Sequence, residues 1–196
     1  MQKYLLDIET ALLTPRTVFR RMREGEGKAF YKLFQTNNPE LKDFFSDLLQ
    51  ETNGEDQSEF WVRKKIAEWL INESYYFSIW EKESAKLIGF IALVDVDWAL
   101  PKARVRFFVD RHFTQQGIMT EVLNKLVVFS FEQLKMQKLS IRAGMEHIAQ
   151  QRLARKCGFN REGDLRAELK KSSGEIMDVM LFGLSYTSYE KYELGA

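Results

Sequence analysis

The stretch from Arg104 to Ala143 constrains the fold more than any other part of the chain. RVRFFV, Arg104 to Val109, has the aromatic and β-branched content of a strand. Met119 to Leu134 repeats its apolar residues at helical spacing, and Leu139 to Ala143 reads as a strand again. A strand, a long amphipathic helix and a second strand in succession imply a right-handed parallel crossover.

Two antiparallel hairpins are expected beside the crossover. Tyr75 to Trp80 and Leu87 to Val96 are strand-like, and Glu81 to Ala85 between them is a polar connection of hairpin length. Gly163 to Lys170 and Glu175 to Tyr186 flank KSSG and form a final hairpin. Thr17 to Arg21, after Pro15, reads as the first strand, so the core fold is expected over residues 17–186, with a leader at 1–16 and a tail at 187–196. Helical spacing links Ala29, Phe30, Leu33 and Phe34, then Phe60, Ile66, Trp69 and Leu70, and a further helix from Ile148 to Cys157 ends at Gly158. A chain of 196 residues with 45% hydrophobic residues fits one domain with a real core.

Charge excludes more than it assigns. Twenty-nine basic and twenty-eight acidic residues leave a net charge of +1, so no whole-molecule field favours nucleic acid or a membrane. No stretch approaches the roughly 20 apolar residues of a membrane span, and the opening MQKYLLDIETALL lacks a signal-peptide pattern. With Cys157 as the single cysteine, an internal disulfide is impossible and a reducing, cytoplasmic setting is expected. His112 and His147 are too far apart in sequence for an HxxxH-type metal site, so no metal is expected. Cys157 is read as a small packed hydrophobe, and the four tryptophans as mostly core.

Chemistry enters at FFVDRHFTQQGIMTEVL, Phe107 to Leu123, where a strand runs into a polar turn containing Gly117 and a helix opens. The first amides of a helix lack intrahelical acceptors and the macrodipole adds positive charge, so a pyrophosphate can sit there without a metal. Gly117 would let the backbone approach such a group closely.

GIMTEVL, followed about thirty residues later by MEHIAQQRLARKCGFNREGDLR, resembles the cofactor turn and the following strand and helix of GNAT N-acetyltransferases, in the branch that acetylates ribosomal-protein alanine and serine N-termini. The resemblance runs from about Thr17 to Tyr186. It implies a mixed α/β domain, with a central, mostly antiparallel sheet splayed between its fourth and fifth strands and flanked by helices. It also implies acetyl-CoA as co-substrate, its pantetheine arm held by backbone groups of Phe108 and Val109. By the same carry-over the amides of Gln115, Gln116, Gly117, Ile118, Met119 and Thr120 hold the pyrophosphate, and His147 and Gln150 line the thioester end. The family turn usually opens with Gln or Arg and closes with Gly or Ala, where this chain has Thr114 and Met119. His147 stands where the family often has Asn, and Gln150 where it has a Ser that can protonate the leaving thiolate.

Acyl transfer to an amine needs a neutral nucleophile, a stabilised oxyanion and a proton for the departing sulfur. An α-amine is roughly 10 to 17% neutral at pH 7 and a lysine roughly 0.04%, so a peptide N-terminus needs little help. A water-relayed carboxylate suffices, with Glu168, Asp95 and Asp97 as candidates, and His147 is the nearby group able to donate a proton near neutral pH. The expected reaction is acetyl transfer to a primary amine, foremost a protein N-terminus, by a monomer or homodimer. The alternatives are a polyamine or aminoglycoside acetyltransferase and a catalytically weak acyl-CoA-binding protein. From Thr36 to Gln57 six acids (Glu40, Asp43, Asp47, Glu51, Glu55, Asp56) face one base, Lys42, a local charge of −5. With Phe44, Phe45, Leu48 and Leu49 this segment is expected to cover the acceptor site and draw in a cationic partner.

Overall fold

In the computed structural model, which describes residues 8–194, one eight-stranded sheet organises the chain. β1 (Ala11–Leu13) and β2 (Thr17–Arg21) form a tight hairpin, followed by α1 (Gly27–Thr36), α2 (Asn38–Leu41), α3 (Ser46–Glu51) and α4 (Glu55–Leu70). β3 (Tyr75–Glu81), β4 (Leu87–Asp97) and β5 (Lys102–Val109) continue the sheet, all neighbours antiparallel. α5 (Ile118–Val128) and a π-helical turn (Phe129–Gln133) lead to β6 (Lys138–Gly144), which pairs with β5 in parallel. α6 (Ile148–Lys156), β7 (Asn160–Lys170), β8 (Ile176–Ser185) and α7 (Tyr186–Leu194) complete the chain, with β8 inserted between β6 and β7.

The parallel crossover and both hairpins stand where the sequence puts them. The leader does not. Ala11–Leu13 is the edge strand of the sheet, its Leu12 buried opposite Phe19, so the fold begins six residues before Thr17. The tail likewise carries α7, whose Tyr189 is buried against Phe131. Met1 to Asp7, in the expected leader, and the last two residues of the tail lie outside the described residues.

Two hydrophobic clusters pack the two faces of the sheet. One gathers Phe77, Ile91, Val105, Leu123, Leu126 and Phe182, joining α5 to the sheet. The other gathers Phe30, Phe34, Trp61, Tyr76, Phe90 and Phe108 beneath α1 and α4. On α4 the buried residues are Ser58, Trp61, Val62 and Trp69, whereas Phe60 and Leu70, expected on the core face, are 72% and 64% exposed. Ile66 and Trp69 do pack inward, but neighbouring side chains on a helix point about 100° apart, so Trp61 takes the inward place beside Phe60 and Trp69 the one beside Leu70. Trp61 and Trp69 are core; Trp80 and Trp98 are only half-buried.

The gap in the sheet positions the site. β5 and β6 pair only from Lys102↔Lys138 to Val105↔Ile141, although β5 runs on to Val109 and β6 to Gly144. Beyond Val105 the far half of β5 has β4 on one side and no strand on the other. Counted from Thr17 these are the fourth and fifth strands, as the sequence implied; the extra edge strand makes them the fifth and sixth.

Candidate active site

A cavity of about 800 Å³ opens where β5 and β6 part. Its walls are the end of β5 (Phe107, Phe108, Val109), the turn into α5, the start and one face of α6, and three residues of the α2–α3 segment.

The turn is braced by side chains bonded to its own backbone, and five of its residues from Phe113 to Ile118 line the cavity. The Asp110 side chain accepts the His112 amide at 2.9 Å and meets His112 Nδ1 at 2.8 Å, and the Thr114 hydroxyl donates to the Arg111 carbonyl at 2.8 Å. Burial pushes the Asp110 carboxyl up, but the His112 amide and ring more than offset it, so its pKa lies below the usual value. Gln115 at φ +59° and Gly117 at φ +80° both adopt the left-handed region, which curls successive amides toward one point. For Gln115 that conformation costs roughly 1–2 kcal/mol. Thr120 and Glu121 donate to the Gly117 carbonyl at 3.0 and 3.2 Å, so the amides of Ile118 and Met119 precede the first bonds of α5. Glu121, the one acid in that first turn, is held by Arg16 at 2.7 Å, which tempers its repulsion of an anion.

The opposite wall is α6. The Gln151 side chain, 4% exposed, donates to the Gly144 and Met145 carbonyls at 3.0 and 2.9 Å and so fixes the end of β6 to the helix. His147 is the N-cap: its Nδ1 accepts the Gln150 amide at 3.3 Å. That bond engages Nδ1 with the backbone of α6. The imidazole stands edge to face with Phe44, ring centres 5.4 Å apart. Arg152 and Lys156, one helical turn apart, also line the cavity.

Phe108, Val109, Gln115, Gly117, Ile118, Met119, Thr120, His147 and Gln150 thus converge on one space. Gln116 belongs to the turn but not to the lining, its side chain donating to the His112 carbonyl at 2.7 Å. Glu168 is not part of the lining either: it pairs with Arg142 at 2.5 Å. Asp95 pairs with Arg104 and Asp97 with Lys102, at the end of β4 opposite the Gly89↔Val109 pair that borders the cavity. Arg152 and Lys156 were overlooked in sequence, although their spacing of four, set back from the cap residue, marks one face of α6. Glu40, Phe44 and Phe45 line the cavity from the segment expected, from the sequence, to lie over the site.

The α2–α3 segment covers the cavity but is not a free acidic face. Asp47 receives two bonds from Arg106, at 2.8 and 2.6 Å; Glu51 meets Lys64 at 3.3 Å and Glu55 meets Lys28 at 3.2 Å. Glu40 lies 3.8 Å from Arg111, and Asp43 accepts from Ser172 at 3.0 Å. The expected attraction of a cationic partner is largely answered by bases of the chain itself. Partial desolvation of the largely exposed Asp47 raises its pKa, yet its bonds to Arg106 outweigh that and hold it below the usual carboxylate value.

The acetyltransferase (GNAT) domain family matches the chain over residues 16–160, which takes in β2 through β6, the turn and α6. The chain belongs to this family. Family members use acetyl-CoA as acyl donor, and the cavity joins the turn at Gly117 to the gap between β5 and β6. The Bacillus subtilis protein named probable N-acetyltransferase YjcK is 30% identical over 113 residues, 55% of this chain and 62% of that protein. Among solved structures, the ribosomal-protein-S5-alanine acetyltransferase of Vibrio fischeri superposes with a TM-score of 0.84 at 15% identity, covering 90% of this chain and 97% of that one. RimL, a ribosomal L7/L12 α-N-protein acetyltransferase solved with coenzyme A, gives 0.82 at 18% identity, covering 92% and 99%. At such identities these structures establish the GNAT fold. Among the described residues no group of three or more His, Cys, Asp or Glu side chains is placed to hold a metal ion, and no helix is long and apolar enough to cross a membrane.

Proposed function

We propose that this GNAT protein transfers the acetyl group of acetyl-CoA to the N-terminal α-amine of a cytoplasmic protein, a ribosomal protein being the acceptor class that its structural neighbours name. The observation that carries the reading is the cavity, which joins the anion-binding turn to the unpaired end of β5 and to the start of α6. In this reading the amides of Gln115 to Met119 take the pyrophosphate, with Arg152 and Lys156 adding charge from the facing helix. The pantetheine arm extends along Phe107 to Val109 in the place of a missing strand, bringing the thioester to His147 and Gln150.

The acceptor approaches from the side of Phe44 and Phe45. Its neutral amine attacks the thioester carbonyl, the tetrahedral oxyanion collapses, the C–S bond breaks, and the amine's proton passes to water. A free α-amine suits a cavity whose one lining carboxylate, Glu40, lies beside Arg111. Gln150 cannot supply a proton to the thiolate, and His147 is engaged as a cap, so His147 positions the donor and water protonates the sulfur.

The test is a thiol-release assay with acetyl-CoA against N-terminal peptides of ribosomal proteins, spermidine and an aminoglycoside, with products read by mass spectrometry. Acetylated peptide N-termini are expected; acetylation of spermidine or the aminoglycoside alone would replace the protein acceptor with a small molecule.

A further inference from the structure

The α2–α3 cover and the cofactor turn meet at one buried side chain. Asn37 has no exposed surface and sits between α1 and α2. Its Nδ2 donates to the Leu33 carbonyl at 2.8 Å, and its Oδ1 accepts the backbone N–H of Arg111 at 2.9 Å. Its own carbonyl accepts the amides of Glu40 and Leu41, both at 3.1 Å, and so starts α2. Arg111 opens the turn whose amides face the cavity, and its guanidinium returns toward Glu40 of the cover. The Asn37 amide donates to one element and accepts from the other, which a carboxylate, with no donor, and an apolar isostere, with neither, cannot do. A buried group of this kind is costly unless both bonds are made, so turn and cover hold their places together.

We propose that Asn37 is a positioning residue that couples donor binding to the acceptor cover: an anion that settles the turn also settles α2 and α3, and a loosened cover weakens the turn's hold on CoA. The coupling must be reciprocal, because it is a free energy shared by two sites. It rests on the donor site proposed above but not on any acceptor. The far end of the cover is tied independently by Asp47, an exposed carboxylate that does not line the cavity but grips Arg106 on β5. Loosening that grip should therefore be felt at the turn, and felt through Asn37.

The experiment uses the full chain with CoA as probe and has two readouts. In hydrogen exchange, CoA is expected to slow the amides of residues 111–120 and of residues 38–51 in the parent, but only the former in Asn37→Leu. In calorimetry, Asp47→Ala is expected to weaken CoA about threefold and Asn37→Leu about fivefold to tenfold, on the order of one lost neutral hydrogen bond. The double variant should bind no worse than Asn37→Leu alone, the non-additivity expected of coupled positions. Absence of protection at residues 111–120 in the parent would overturn the donor site and the coupling with it. Protection there without protection of residues 38–51, or equal protection of the cover in Asn37→Leu, would overturn the coupling alone. If Asn37→Leu does not fold, an Asp47→Ala variant that binds CoA as tightly as the parent still overturns it, and weaker binding supports it.

Discussion

The two walls of the cavity are built on different principles. The wall at the turn, where the proposed function puts the donor, is backbone: the left-handed Gln115 and Gly117, a helix start, and a strand edge left open by the splay of β5 and β6. The cover wall is side chain: Phe44 against His147, Phe45 beneath Arg106 with the guanidinium 4.7 Å from its ring, and carboxylates answered by bases from distant parts of the chain. A backbone site tolerates changes in side-chain identity provided the dihedral angles survive, which is how Thr114 and Met119 can stand in a turn that usually has other residues. A side-chain site changes with each substitution, so it is where acceptor choice can differ between GNAT proteins sharing one fold.

The largest break in this contrast is expected from Gly117→Glu. It forces a Cβ into φ +80° and sets a carboxylate where the pyrophosphate would lie, so CoA affinity measured by calorimetry should fall by about a hundredfold or more, on the order of 1–2 kcal/mol of strain plus like-charge repulsion. An affinity near the parent's in a folded protein would move the donor site elsewhere. Replacing Arg152 and Lys156 together by Ala removes charge without touching the backbone. The expectation is a loss of about tenfold in CoA affinity that shrinks as salt is raised, since exposed charges are screened over about 8 Å at physiological ionic strength. A loss independent of salt would mean that these side chains act by shape.

On the cover, Asp47 supplies the pH test. Its folded pKa is lowered, so the stability it contributes is present above the unfolded value and is lost as pH falls through the folded one. Between about pH 6 and 8 the parent and Asp47→Asn should therefore show parallel acceptor-KM profiles. A KM that rises in the parent alone within that window would show that Asp47 titrates there. His147→Asn sharpens the comparison further: with His147 as cap and positioning group, kcat should stay within about threefold of the parent, whereas general acid catalysis typically contributes about a hundredfold or more. The smallest effect belongs to Cys157. Burial pushes its thiol up to about 12, so alkylating agents near pH 7 should leave the folded protein unlabelled and active.

The same contrast decides what the sequence made legible. Strand, turn and helix around Gly117 leave a local pattern of alternation, glycine and helical period, all within about twenty residues, so this wall of the cavity and the parallel crossover could be read directly. The edge strand Ala11–Leu13 is three residues long, too short for alternation to register, and its pairing with Thr17–Arg21 is a tertiary fact. The acids of the cover were legible as a run of charge, but their neutralisation depends on Arg106, Arg111, Lys64 and Lys28, which lie up to 71 positions away along the chain in the case of Glu40 and Arg111. Charge in sequence is local, while its compensation is spatial. Glu168 shows the same limit, a carboxylate near the final hairpin whose partner is Arg142 on a strand that β8 separates from its own.

The account stands most directly on the kind of nitrogen acetylated. Two peptides of one sequence, one with a free N-terminus and its lysine blocked, the other with a blocked N-terminus and its lysine free, would be offered with acetyl-CoA at pH 7 and the kcat/KM of each measured by thiol release. The account predicts turnover of the first and little of the second, because the cavity offers a neutral α-amine its donor without a strong base to deprotonate a lysine. Faster acetylation of the lysine peptide would contradict it.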